Sequence, residues 1–247
     1  MKIEIFPNVE QLNRQAANHI LHAMRQYPHF NFAPTGGSSP LALYQLLIPN
    51  LRKDQRYQHV HYYTQDEVPF HPFENDKGAI YHHLQRHLFA PAGIPDERIH
   101  ALNGSNYLHA DRQIAKNGGI DLLLLGLGSD GHIAANLPGT PFDSKAHKIA
   151  IDRKNSALMA LLANEVGDEE RVPDAYFSLG IKTIMQAKNI LLLVTGEKKA
   201  QILKQALEGP LTEDIPASIL RLHPACTLFA DITAAQRLQE VDSIQRL

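Results

Sequence analysis

The fold is decided by one stretch in the middle of the chain, Ile120-Asp121-Leu122-Leu123-Leu124-Leu125-Gly126-Leu127-Gly128-Ser129-Asp130-Gly131-His132. Its first half is a short, continuous apolar run, which is typical of a strand buried on both faces of a parallel sheet. The run stops at glycines, which permit positive φ and let a ligand approach the backbone closely. Because open α/β sheets bind ligands at the carboxyl ends of their strands, this turn is a candidate functional site.

Two polar side chains, Asp130 and His132, lie within this glycine-rich turn. Histidine is the side chain most easily tuned to exchange protons near neutral pH, and a neighbouring acid can orient it. A purely structural interpretation stands beside this one, in which Asp130 caps a following helix and His132 is a satisfied, partly buried histidine. The turn alone leaves both interpretations open.

Strands and helices alternate on both sides of this stretch. Besides the central strand, we predict strands over 2–6, 30–33, 59–64, 98–102, 148–151, 175–179, 189–195 and 225–230. We predict helices over 8–26, 41–47, 78–89, 106–117, 181–187, 197–207 and 232–240. Segment 152–171 has no clear pattern, and its acidic end, 164–171, is predicted to be a surface loop or a helix end.

This alternation predicts an α/β fold, a three-layer αβα sandwich around a Rossmann-like, mainly parallel sheet. No linker or low-complexity segment divides the chain, so we expect residues 1–247 to form a single domain.

The composition argues against several classes of partner. The formal net charge of −2 gives no reason to expect binding to nucleic acid or to an anionic membrane. We expect no signal peptide and no membrane span, since no run approaches the roughly 20 apolar residues that a span requires. The single cysteine, Cys226, excludes an intrachain disulfide and predicts a reducing compartment, the cytoplasm. The histidines show no metal-ligand spacing, so we predict no metal site.

A second candidate site follows the predicted strand 30–33, in the stretch Thr35-Gly36-Gly37-Ser38-Ser39-Pro40. Backbone amides freed by the glycines, three hydroxyls and the positive end of the next helix dipole together suit a phosphate group. The stretch has no lysine of the Walker type, which argues against a nucleotide P-loop. An ordinary βα loop with a serine cap is the alternative.

Charged pairs follow two further predicted strands. Asp66 and Glu67 come after the strand 59–64, where adjacent carboxylates are costly unless they are solvated or used. Lys198 and Lys199 lie in the first turn of the helix that follows the strand 189–195, where cations oppose the helix dipole. An anionic ligand would relieve that repulsion. A solvated acidic turn and a solvated lysine pair are the alternatives.

These four stretches occur in the same order as the motifs of the glucosamine-6-phosphate deaminase and 6-phosphogluconolactonase superfamily, which the chain resembles along almost its whole length. Residues 35–40 resemble the family's phosphate loop, 66–67 its acidic pair, 126–134 its histidine motif and 195–200 its lysine-bearing helix start. Lactonases usually carry Arg after the acidic pair and Thr after the histidine, whereas this chain has Val68 and Ile133. The chain therefore resembles the deaminase branch more closely, as do its stretches 136–139 and 222–224.

The resemblance implies an enzyme without a metal or organic cofactor. Its reaction would convert glucosamine or galactosamine 6-phosphate, a 2-amino-2-deoxyhexose 6-phosphate, and water into a ketohexose 6-phosphate and ammonia. The implied catalytic residues are Asp66, Glu67, Asp130 and His132. The implied phosphate-binding residues are Thr35, Gly36, Gly37, Ser38, Ser39 and Lys199.

Two further expectations concern the partners. Family members also use an arginine on the substrate phosphate, for which Arg153 and Arg171 are the nearest candidates. The phosphorylated sugar is the expected partner, and the composition is compatible with both a monomer and a homo-oligomer.

One position departs from the pattern of the family. Glucosamine-6-phosphate deaminases have a glutamate before the proline of an Asn-Glu-Pro-Gly stretch, and this chain has Leu137 there. A leucine cannot accept a hydrogen bond from the imidazole or stabilise its cation, so we expect the substrate or the efficiency of ring opening to differ. Two alternative hypotheses follow: lactone hydrolysis with His132 as the base, and a sugar-phosphate-binding regulator without catalysis.

Overall fold

Parallel strands form the main sheet of the molecule. The computed structural model describes residues 1–73, 75–239 and 245–246. The strands in chain order are β1 (Lys2–Phe6), β2 (Phe30–Ala33), β3 (Val60–Tyr63), β4 (Asp66–Glu67), β5 (Ile99–His100), β6 (Leu122–Gly126), β7 (His147–Ala150), β8 (Ala175–Ser178), β9 (Ile190–Val194), β10 (Cys226–Asp231) and β11 (Gln245–Arg246). Eight of them pair in the order β11-β1-β10-β9-β6-β2-β3-β5. Each of these pairings is parallel, which confirms the predicted sheet.

Helices connect the strands. In chain order they are α1 (Val9–Met24), α2 (Leu41–Lys53), α3 (Ala79–Leu84), α4 (Ala90–Ala92), α5 (Tyr107–Lys116), α6 (Ser156–Val166), α7 (Ile181–Ile184), α8 (Ala200–Glu208) and α9 (Ile232–Ala235). A π-helical turn, Gln85–Phe89, joins α3 to α4. The predicted cap of α1 is present, since the Asn8 side chain accepts a hydrogen bond from the Gln11 amide at 2.9 Å. Among the described residues, no helix is long and apolar enough to cross a membrane.

The two faces of the sheet bury two separate apolar clusters. Leu122 and Leu124 of β6 pack into one cluster, and Leu123 and Leu125 pack into the other. Successive side chains of a strand point to opposite faces, so a strand covered on both sides must be apolar at every position. The αβα sandwich predicted from the alternation of strands and helices is therefore confirmed.

The order of the strands reverses between β2 and β6, which pair at the centre of the sheet. From β2 the sheet continues outward through β3 and β5, and from β6 it continues through β9 and β10. Such a reversal opens a crevice at the carboxyl ends of the strands. Gln65 is buried there, and its Nε2 donates to the carbonyl oxygens of Ala33 at 3.0 Å and Leu124 at 2.6 Å. This side chain thus ties the two central strands together.

A second, small antiparallel sheet lies beside the carboxyl ends and has the order β4-β8-β7. Its register places Asp66 opposite Ser178 and Glu67 opposite Phe177. The strand at 175–178 is confirmed, but its membership of a separate sheet was not predicted. Since β4 has only two residues, it is too short to show the alternation of apolar and polar residues that predicts a strand.

Four expectations about single elements are wrong or incomplete. No helix follows Asp130, where the chain enters turns instead, so this acid does not cap a helix. Segment 152–171 contains a full helix, α6, and α2 extends beyond its predicted end to Lys53. The last helix ends at Ala235, and residue 240 of its predicted range lies outside the described residues.

Candidate functional site

The turn after β6 holds an acid and an imidazole in direct contact. The His132 ring nitrogen Nδ1 lies 2.7 Å from Oδ1 of Asp130, and the His132 backbone amide donates to the same oxygen at 3.2 Å. This carboxylate partner assigns the proton to Nδ1 and leaves Nε2 for proton exchange with a substrate. The hydrogen bond from His132 lowers the pKa of Asp130 to about 2, so the acid stays ionised and fixes the ring.

Gly128 makes room for the imidazole. A Cβ at this position would overlap Nδ1 and the adjoining ring carbons of His132, well inside van der Waals contact. The Gly128 amide also donates to the His132 carbonyl oxygen at 2.9 Å. The glycine is therefore required by the close approach of the ring. Gly131 (φ +91°) supplies the left-handed turn that brings His132 back.

Asp66 of β4 lies close enough to His132 for their charges to interact. Burial raises the pKa of Asp66 to about 6; the nearby His132 lowers it, and the Glu165 carboxylate raises it. These interactions place Asp66, His132 and Glu165 in one site. A carboxyl group whose pKa lies near the working pH is suited to accept and return a proton.

Glu67 points away from solvent and anchors a helix. Its Oε1 accepts from the amides of Val68 at 3.0 Å and Ile80 at 2.8 Å, and its Oε2 accepts from the Tyr81 amide at 3.0 Å. Ile80 and Tyr81 are in the first turn of α3, where free amides attract an anion. Burial raises the pKa of Glu67 to about 8. These contacts favour a positioning role, and its catalytic role stays a prediction.

The predicted phosphate loop connects β2 to α2 at the switch point. Ser38 and Ser39 are exposed, whereas residues 35–37 are partly buried. Gly37 has a φ of +82°, and the Thr35 carbonyl oxygen accepts from the Tyr44 hydroxyl at 2.6 Å. The loop therefore has a fixed backbone with open hydroxyls at the start of a helix, as a phosphate site requires.

The two neighbouring lysines differ. Lys198 is exposed, whereas Lys199 is partly buried, and burial lowers the pKa of Lys199 while nearby Asp130 opposes that shift. Both residues lie in the short 3-10 turn Glu197–Lys199 that precedes α8. Asp231 fixes the start of this segment, since its Oδ1 accepts from the Gly196 amide at 2.9 Å. Of the two cations, Lys199 is the one that interacts with Asp130, and its role in binding phosphate stays a prediction.

The two candidate arginines are engaged elsewhere. Arg153 donates to the Asp174 carboxylate at 2.9 Å and to the Val172 carbonyl oxygen at 3.1 Å. Arg171 lies over the Phe70 ring, 4.4 Å from its centroid. These contacts favour structural roles for both guanidinium groups. Leu137 is partly buried and packs against an apolar cluster.

The structure adds two side chains that were not predicted. Glu165 of α6 lies in the acidic stretch that we interpreted as surface, yet it is partly buried and close to Asp66. Tyr176 of β8 is 3% exposed, and its pKa is raised to about 12, first by burial and then by Asp66 and Asp130. Its place in an apolar strand pattern gave no functional signal. Within the described part of the chain, no group of three His, Cys, Asp or Glu side chains could hold a metal ion.

Comparisons with known proteins show the family of this chain. The family of glucosamine-6-phosphate isomerases/6-phosphogluconolactonase matches residues 7–229. A glucosamine-6-phosphate deaminase of Shouchella clausii is 36% identical over 242 residues, covering 95% of this chain and 96% of that protein. A protein of the same name from Oceanobacillus iheyensis is 33% identical and covers 96% of each.

Solved structures show the same fold. A structure described as a monomeric glucosamine-6-phosphate deaminase has a TM-score of 0.83 and 27% identity, and the match covers 96% of this chain and 100% of that one. A 6-phosphogluconolactonase from Trypanosoma cruzi has a TM-score of 0.74 and 22% identity, with 96% and 97% covered. At that identity the lactonase shows a shared fold alone.

Proposed function

This chain belongs to the family of glucosamine-6-phosphate isomerases and 6-phosphogluconolactonases, and we propose that it is an amino-sugar-phosphate deaminase/isomerase. Its substrate would be glucosamine or galactosamine 6-phosphate, which reacts with water to give a ketohexose 6-phosphate and ammonia. The observation that supports the proposal is the contact of His132 with Asp130, together with the charge interactions of this pair with Asp66 and Lys199. The curated relatives, which are similar over almost their whole length, carry the deaminase name.

The first chemical step is opening of the sugar ring. In our proposal His132, held by Asp130 through Nδ1, moves a proton to or from the ring oxygen with Nε2. Asp66 then transfers a proton between C1 and C2 in the aldose–ketose step. The amine leaves from C2 as ammonia once water has added there.

The phosphate would be held away from the reacting carbons. The amides and hydroxyls of residues 35–39 and the ammonium group of Lys199 suit a dianion at this edge of the sheet. Such remote contacts fix the sugar so that C1 and C2 lie against Asp66. Glu67 would act through α3 and β4, by keeping Asp66 in place.

The proposal also covers the domain organisation, the compartment and the oligomeric state of the protein. We propose that residues 1–247 form one domain with one active site, and that the protein acts in the cytoplasm, as its single cysteine suggests. A monomer suffices for this chemistry because Asp66, His132 and Lys199 come from one chain. A homo-oligomer is compatible with it.

The experiment that tests the function is ammonia release from the purified protein, offered glucosamine 6-phosphate and galactosamine 6-phosphate separately. We expect release from one or both, with equal amounts of ammonia and ketohexose 6-phosphate. Hydrolysis of 6-phosphogluconolactone without ammonia from either amino sugar would contradict the proposal. Binding of the sugar phosphates without turnover would instead support the regulator hypothesis that Leu137 suggests.

A further inference from the structure

Tyr176 carries a buried hydroxyl that has no hydrogen-bond partner within the described residues. Its side chain lies in the larger apolar cluster, and only 3% of the residue is exposed. A buried hydroxyl without a partner destabilises a folded protein, and phenylalanine would fill the same space without that cost. Packing therefore does not explain why this position carries a hydroxyl group.

The register of the small sheet puts this side chain beside the catalytic acid. Asp66 of β4 pairs with Ser178 of β8, and Tyr176 lies two residues before Ser178 on the same face. Diagonal neighbours on one face of an antiparallel pair are about 7–8 Å apart, which a tyrosine side chain spans. The negative charges of Asp66 and Asp130 both raise the pKa of the Tyr176 phenol. The hydroxyl therefore lies near both carboxylates.

A third acid, Glu165, lies near Asp66 as well. Glu165 reaches Asp66 from α6, and Met159, Leu162 and Val166 of that helix belong to the same apolar cluster as Tyr176. Three carboxyl groups attract a cation there, and a phenol oxygen can accept a hydrogen bond from it. Since the hydroxyl is buried in the free protein, contact between it and a bound substrate requires α6 to move when the substrate binds.

We propose that the Tyr176 hydroxyl binds the C2 amine of the substrate. This inference rests on the proposed function, because it assumes that the ligand is an amino-sugar phosphate. The phenol oxygen accepts a hydrogen bond from the amine while Asp66 faces the adjacent carbon. Tyr176 is then a specificity residue that favours an amino sugar over a sugar phosphate without the amine.

The test compares Tyr176→Phe with the wild type in two assays. In kinetics, we expect kcat/KM for the amino-sugar phosphate to fall roughly tenfold or more, as when a site loses its partner for a substrate polar group. In calorimetry, we expect weaker binding of glucosamine 6-phosphate and unchanged binding of 2-deoxyglucose 6-phosphate, which lacks the amine. Thermal unfolding should show no loss of stability, because no hydrogen bond within the described residues is removed.

Tyr62→Phe is the matched control, since Tyr62 is equally buried in the same cluster and we expect no change in kinetics or ligand discrimination. An unchanged kcat/KM in Tyr176→Phe, or equal weakening of both sugar phosphates, would overturn the inference. If the wild type releases no ammonia, the proposed function fails on its own. The calorimetric comparison of the two sugars still decides whether Tyr176 recognises the amine.

Discussion

Asp66 is the residue whose charge state should set the pH dependence of the reaction. Burial raises its pKa to about 6, and a general base must be ionised to accept a proton. We therefore expect kcat/KM of the wild type to fall as the pH is lowered through about 6. Asp66→Asn should abolish turnover and largely spare substrate binding, measured by calorimetry. Near-normal turnover in this variant, or a pH profile without an acidic limb, would exclude Asp66 as the base.

Lys199 and Lys198 are neighbouring lysines whose substitutions can be compared directly. Lys199 is partly buried and close to Asp130, whereas Lys198 is exposed. If Lys199 holds the phosphate in both ground and transition states, Lys199→Met should raise KM roughly tenfold or more with a smaller change in kcat. Lys198→Met should leave both constants unchanged. Steady-state kinetics decide, and equal effects of the two changes would contradict the assignment.

Single residues were predicted unevenly from the sequence. Asp66, His132 and Lys199 belong to recognisable stretches, and the structure brings all three together. Tyr176 and Glu165 were missed because neither the strand pattern nor the acidic run indicates which way one side chain points. The contacts of Glu67 with α3 were missed for a related reason: two adjacent acids look alike until the fold separates them.

Among the elements, the turn after β6 depends on a glycine that the imidazole contacts closely. Gly128→Ala would push its Cβ into the His132 ring, and displacing a catalytic group by about 1 Å can cost 10²-fold in rate. We expect a loss of that order in kcat. Gly126→Ala is the control, since no other group lies within 4 Å of the position that its new methyl group would take, and its φ is not positive. Equal activity of the two variants would contradict this explanation of the turn.

The amino end of α3 depends on Glu67 as an acceptor for backbone amides. In Glu67→Gln one oxygen becomes an amide group that cannot accept, so at least one helix amide loses its partner. We expect a loss of about 1–3 kcal/mol in the free energy of unfolding, measured in urea. Glu97→Gln, at an exposed site, should be neutral. Equal stability of Glu67→Gln and the wild type would show that the Glu67 carboxyl group is not the anchor.

Glu67 also makes the free energy of unfolding depend on pH. Burial raises the pKa of Glu67 from 4.5 to about 8, so between these values the folded state binds more protons than the unfolded state. The contribution of Glu67 to stability is therefore lost as the pH rises from 4.5 to 8. Glu67→Gln should remove that part of the slope, as seen in urea titrations at several pH values.

Elements with a continuous apolar run or a clear apolar period were predicted well, and the others were not. The strands β6 and β9 are runs of large apolar residues, and α1 has a clear apolar stripe with its cap. Helix α6, in contrast, has the sequence Ser-Ala-Leu-Met-Ala-Leu-Leu-Ala-Asn-Glu-Val, which is apolar almost throughout. Without polar residues at regular intervals no helical period is visible, so this helix over the site was missed.

At the scale of the molecule, Gln65 joins the two strands on either side of the switch point. Gln65→Met keeps the length of the side chain and removes both donors, which leaves the carbonyl oxygens of Ala33 and Leu124 without this partner. We expect a loss of about 2–6 kcal/mol in the free energy of unfolding, from about 1–3 kcal/mol for each of the two unsatisfied carbonyl groups. Gln45→Met, at an exposed helix position, is the control. A neutral Gln65→Met would contradict this account of the crevice.

The sheet order also bears on how the protein is made on the ribosome. The first strand to emerge, β1, pairs with β10 at residues 226–231 and with β11 at 245–246. It therefore has no described strand partner until more than nine tenths of the chain has been synthesised. The segment from β2 to β9 can assemble earlier, because all of its strand pairings except that of β9 with β10 lie within it. Premature termination before β10 would thus release a chain that carries all the residues of the proposed active site but has an unpaired first strand, open to aggregation and degradation.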